Sequence, residues 1–142
     1  MSHPKQMNSL ILAYIGDAYF EVLVRDFLVT KRNILKPKLL QKEAIEYVSA
    51  KAQVGFMKVA LENGWLRDDE IKQFKRGRNT KNKRTSKNLD AITHNKSTGF
   101  ESIIGYYYLI GNFDRINEIF ANYISHVEIN KAKRDNFESN MG

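Results

Sequence analysis

Residues 10 to 24 constrain this chain more than any other stretch: LILAYIGDAYFEVLV is almost wholly apolar, yet it carries Asp17 and Glu21 four residues apart. Residues so spaced lie on one face of a helix, and Leu10, Ile11, Tyr14, Ile15, Ala18, Val22 and Leu23 recur at helical spacing. A carboxylate on a core-seeking helix is costly to desolvate. Asp17 therefore needs water, a cation or a hydrogen-bond partner, which makes it a candidate for chemistry. Glu21 has a plainer reading, because Arg25 one turn on completes an ordinary helix ion pair. Gly16 is unfavourable inside a helix by ~1 kcal/mol relative to Ala, so its presence predicts a close backbone approach.

The remaining segments follow the same period. Asn8 or Ser9 caps the first helix, which ends near Thr30. Pro37 opens a second, with Leu39, Leu40, Ala44, Tyr47 and Val48 inward, and Gly55 divides it from a shorter one. Asp68 to Glu70 place negative charge at the start of a further helix, where the dipole favours it. That helix frays into KRGRNTKNKRTSKN, residues 75 to 88, which lacks any apolar side chain and reads as a loop. A new helix starts at Ser97 or Thr98, Gly111 and Asn112 stop it, and Phe113 to His126 form the last, with Ile116, Ile119, Phe120, Tyr123 and Ile124 inward. No segment sustains period-two alternation. The expected fold is a single all-α domain over residues 1–128, a helical bundle, followed by a polar, frayed tail over 129–142.

Composition narrows the chemistry. A chain of 142 residues is long enough for one core. The absence of cysteine excludes thiol catalysis, Cys-based zinc sites and a disulfide framework. His3, His94 and His126 are scattered, with no partner at metal-ligand spacing. The N-terminal residues do not resemble a secretory signal and no run approaches the ~18 apolar residues of a membrane span, so a soluble, cytoplasmic protein is expected. The formal charge is +7, and the excess is local: between Lys72 and Lys87 stand eight Lys or Arg and no acid. Such a run calls for an anion, and Arg76, Arg78, Lys81, Lys83 and Arg84 suit nucleic-acid phosphates.

Glu101 is the second candidate carboxylate. Thr98 and Glu101 have the spacing of a capping box, which would account for the glutamate by itself. Glu101 also sits on an apolar helix that must pack on the first, so it could meet Asp17 across the interface. Two converging carboxylates suit a hard cation such as Mg²⁺.

The stretches YIGDAYFE at 14 to 21 and FESIIGYYYL at 100 to 109 resemble the two signature helices of the ribonuclease III catalytic domain. With VSAKAQ at 48 to 53, KRGRN at 75 to 79 and STGFE at 97 to 101, the set is most similar to the compact bacterial branch of that family, Mini-ribonuclease III. The resemblance implies a homodimer that cleaves double-stranded RNA with Mg²⁺, or Mn²⁺ in its place, and acts on large-subunit (23S) ribosomal RNA precursor. By position it makes Asp17 and Glu101 the catalytic metal ligands and puts Tyr14 in the dimer interface. Lys75, Arg76, Arg78, Asn79, Lys81, Lys83 and Arg84, helped by Lys51 and Gln53, are expected to hold RNA, with Glu21, Asp90 and Thr98 as candidates to stand behind the metal ligands. Larger ribonuclease III enzymes carry further carboxylates four residues before the aspartate and three before the glutamate. This chain has Ala13 and Thr98 there, as the compact branch does. The alternative is a ribonuclease III-like dimer that binds structured RNA without cutting it. A DNA-binding helical protein is a weaker third reading, because no helix-turn-helix pattern presents a cationic recognition helix.

Overall fold

A computed structural model describes residues 3–80 and 88–141. After a single 3-10 turn at Pro4–Gln6, the described chain forms α1 (Ser9–Thr30), α2 (Pro37–Val48), α3 (Ala50–Glu62), α4 (Asp68–Asn79), α5 (Leu89–Ile110) and α6 (Phe113–Met141). No strand occurs among the described residues, as the absence of alternation predicts. None of these helices is long and apolar enough to cross a membrane.

Helix α5 is the axis of the bundle, with α1, α3 and α4 packed around it. Its contact with α1 is unusually close. A Cβ placed on Gly16 would fall 1.8 Å from the Glu101 carbonyl oxygen, and one on Gly105 would fall 1.8 Å from that of Leu12. Only hydrogen fits at either position, which is the physical reason for a glycine in the middle of α1. Beneath this crossing, Phe20, Phe56, Phe100 and Tyr123 form one aromatic cluster, with ring centroids 4.8 to 5.9 Å apart. Each such buried side chain contributes roughly 1.5–3 kcal/mol, so α1, α3, α5 and α6 share one core.

The structure departs from the sequence reading in five places. In α1 the buried face is Leu12, Ala13, Gly16, Phe20, Val24 and Leu28, while Leu10, Ile11, Tyr14 and Val22 face outward. The break after α2 falls at Ser49, whose hydroxyl accepts from the Ala52 amide, and Gly55 lies inside α3. Helix α4 runs on to Asn79, so Lys75 to Asn79 are helical and not loop. Helix α5 starts eight residues before Ser97, because Asn88 Oδ1 accepts from the Ala91 amide at 2.8 Å and caps it there. Finally, α6 continues through the expected tail to Met141, held to α2 by Lys131 with Glu43 and Arg134 with Glu46.

Candidate active site

The Gly16–Gly105 contact dictates which side chains meet at the α1–α5 crossing. Asp17 follows the glycine that touches the Glu101 backbone, so the two side chains emerge on adjoining helices and their carboxyls come within hydrogen-bonding reach. Asp17 faces solvent and Glu101 is half-buried. Burial, first, and then the neighbouring Asp17 and the charge of Glu21 push the Glu101 carboxyl up to about 8, opposed by a hydrogen bond from Gln53. Neither Asp17 nor Glu101 has an ion-pair partner among the described residues. Such a pair lacks a cation, and its all-oxygen donor set fits a hard divalent ion. The meeting point is a pair of carboxylates: no group of three or more His, Cys, Asp or Glu that could hold a metal ion occurs among the described residues.

The other candidate positions divide clearly. Glu21 pairs with Arg25 at 3.3 Å, the helix ion pair that the spacing predicts, while still adding negative charge beside Glu101. Thr98 is buried inside α5 and its Oγ1 donates to the His94 carbonyl at 3.1 Å, so neither it nor Glu101 belongs to a capping box. Asp90 stands in the exposed first turn of α5, eleven residues and roughly 16 Å of helix from Glu101, and is not brought to the pair. Gln53, expected to touch RNA, is only 1% exposed and lies under Glu101. The reason is its place in a stripe with Phe56, Met57 and Ala60, all buried. A polar residue in a helix's core stripe was the sequence signal for this role.

Arg76 is exposed, but its guanidinium is engaged by the protein's own acceptors. Its guanidinium donates to the carbonyls of Lys5 and Met7, to Ser9 Oγ and to Gln73 Oε1, stapling the N-terminal turn to α4. Lys75, Asn79 and Lys51 are exposed, and the Arg78 guanidinium sits 5.7 Å from the centre of the Phe74 ring. Lys81, Lys83 and Arg84 lie outside the described residues.

A second buried carboxylate escaped the sequence reading. Glu70, 1% exposed, accepts from Arg115 Nε at 2.7 Å, Arg115 Nη2 at 2.8 Å, the Tyr107 hydroxyl at 2.5 Å and the Arg67 amide at 2.8 Å. Burial alone would raise its pKa, but these donors outweigh burial and hold it below the ordinary value. Nothing local to Glu70 announces a partner 45 residues away.

The Ribonuclease III domain model matches residues 10–112, a span that contains both Asp17 and Glu101. The chain belongs to the ribonuclease III family. Within it the similarity is to the Mini-ribonuclease III branch: 44% identity to Mini-ribonuclease 3 of Enterococcus faecalis, over 81% of this chain and 86% of that one. Mini-ribonuclease 3 of Clostridium tetani is 43% identical over 81% and 75%, and that of Streptococcus pneumoniae 38% over 86% and 94%. A crystal structure of a Fusobacterium nucleatum protein shares the fold, with a TM-score of 0.69 at 23% identity, covering 88% of this chain and 98% of that one. As a ribonuclease III family member the protein is an endoribonuclease, and the Asp17–Glu101 pair is its candidate catalytic centre.

Proposed function

We propose that this endoribonuclease cuts double-stranded RNA in a Mg²⁺-dependent reaction, as a homodimer that matures the ends of 23S ribosomal RNA precursor. The observation that carries this reading is the convergence of Asp17 and Glu101, with no ion-pair partner for either among the described residues. These two carboxylates would hold the ion, with Mn²⁺ an acceptable substitute. When bound, it supplies Lewis-acid stabilisation of charge on the phosphate and leaving oxygens and makes hydroxide available at neutral pH. The protein's own contribution is to hold the carboxylates rigidly at the α1–α5 crossing and to seat the RNA. Lys51, Lys75, Arg78 and Asn79, with Lys81, Lys83 and Arg84, bind backbone phosphates, and the A-form shape selects RNA duplex.

The outward face of α1 supports the dimer. Tyr14 is 79% exposed and, with Ile15, Ala18, Tyr19, Val22 and Tyr108, lines an open apolar cleft of about 330 Å³. An apolar patch of this kind marks an interaction surface, and a second copy of α1 offers a matching one. Tyr14→Arg is expected to shift the protein from dimer to monomer in sedimentation velocity. An unchanged dimer would remove this face from the interface.

Incubation with perfect duplex RNA, duplex DNA and EDTA controls tests the activity. Scission of duplex RNA alone, abolished by EDTA, is expected. Retention of RNA with no scission in any metal would instead support a binding dimer, the reading that Ala13 and Thr98 favour by thinning the carboxylate set.

A further inference from the structure

Gln53 is an amide buried in the core stripe of α3. An amide in a core stripe must have both ends satisfied, and here the two ends meet different helical partners. The Ser97 hydroxyl donates to Gln53 Oε1, and the other end of the amide lies beside the Glu101 carboxyl, whose charged form it favours. Ser97 and Glu101 lie four residues apart on one face of α5, and Gln53 projects from α3 into the space between them. With the Ser97 hydroxyl donating to Oε1, the amide nitrogen is the end turned toward Glu101. Flipped, it would set its carbonyl oxygen against a carboxylate that already faces Asp17 and Glu21.

Among the described residues, the other groups near Glu101 do not duplicate this contact. Tyr123 lies close enough to feel its charge, but the Tyr123 hydroxyl donates to the Tyr47 carbonyl at 2.6 Å. Asp17 and Glu21 bring only negative charge. Gln53 is the neutral donor of the set, and it comes from a helix that carries neither carboxylate. We propose that Gln53, oriented by Ser97, is a positioning residue that fixes the Glu101 carboxylate in the orientation that receives the divalent ion. The proposal rests on the metal-dependent reading above.

Partners that orient a metal ligand are typically worth 10–100-fold in metal affinity or activity. For Gln53→Leu, which keeps the volume and removes the amide, Mn²⁺ binding followed by electron paramagnetic resonance should weaken by roughly tenfold or more. Duplex RNA cleavage should lose kcat with little change in KM, and excess Mg²⁺ should restore part of it. Ser97→Ala should show the same pattern more weakly, and Ser97→Thr, which restores a hydroxyl, should recover it. Should Gln53→Leu fail to fold, judged by thermal melting, the two Ser97 variants decide. Folded variants with unchanged Mn²⁺ affinity and kcat would overturn the assignment, as would a rise in KM alone, the signature of a direct RNA contact. A wild-type protein that binds Mn²⁺ but cuts no duplex RNA would sink the proposed function, while the Mn²⁺ comparison would still judge Gln53. A wild-type protein that does neither would sink both.

Discussion

Glu70 and Glu101 are two glutamates near one central helix, and their surroundings are opposite. Glu70 is the more deeply buried, yet Arg115, Tyr107 and the Arg67 amide surround it with donors and keep it charged. Glu101 is less buried but faces Asp17 and Glu21, and its carboxyl is driven up to about 8. Burial is therefore not what distinguishes the two carboxylates. The distinction is whether the protein completes the charge itself or leaves it to be completed by something that arrives. Glu70 belongs to the fold, tying α4 to α5 and α6; Glu101 has no matching cation among the described residues.

The largest expected effects come from removing charge at the incomplete pair. Asp17→Asn or Glu101→Gln should reduce duplex RNA cleavage by roughly a hundred- to a thousandfold, as loss of a group that stabilises developing charge does. Neither should lower the melting temperature of the metal-free protein, because each relieves like-charge repulsion. Single-turnover cleavage and calorimetry on the same samples check both halves. A variant that melts well below wild type would show that the pair holds the fold together, and the contrast with Glu70 would collapse.

The reverse experiment is Arg115→Met. Removing one partner of a buried ion pair costs about 3–5 kcal/mol, because the other charge is left unmatched. For a chain of this size that corresponds to a fall of roughly 10 °C in melting temperature. Adding Glu70→Gln should recover part of the loss, since the two residues are coupled. Cleavage by the folded fraction should be nearly unchanged at a temperature where Arg115→Met remains native.

The same contrast explains what could be read from the sequence. Asp17 was legible because a charge in an apolar helical run has no ordinary place, and Gly16 because a helix interior disfavours it. The orientation of α1 was not, since a helix apolar on all sides carries no record of which face meets its own core and which meets solvent or a partner. Leu10, Ile11, Tyr14 and Val22 are as periodic as Leu12, Phe20 and Val24. Helix α5 was misread because Thr98 and Glu101 imitate a cap, whereas the residue that satisfies the first turn is Asn88. Glu70, and the extension of α6 beyond His126, depend on partners 45 and 88 residues distant, which no local pattern encodes. Gln53 stood between these cases. Its spacing with Phe56, Met57 and Ala60 marked it as internal, but its resemblance-based role pointed outward.

The mildest test varies pH and metal together. A carboxyl raised in the folded state binds protons more tightly there than in the unfolded chain, so it favours folding at low pH, and that advantage fades as pH rises toward the folded value. In metal-free protein, Glu101 should therefore make the melting temperature decline from about pH 5 upward to about 8. A saturating divalent ion should flatten that slope by binding the charged form, and Glu101→Gln should flatten it without metal. Glu70 works with the opposite sign: its carboxyl is held low, so its stabilisation is complete above the unfolded value and disappears only as pH falls through the folded one. Acid below about pH 4 should then destabilise wild type more than Glu70→Gln, measured relative to each protein at neutral pH. A metal-free slope that survives in Glu101→Gln would place its origin elsewhere. The two glutamates would then differ in their partners without differing in what they contribute to folding.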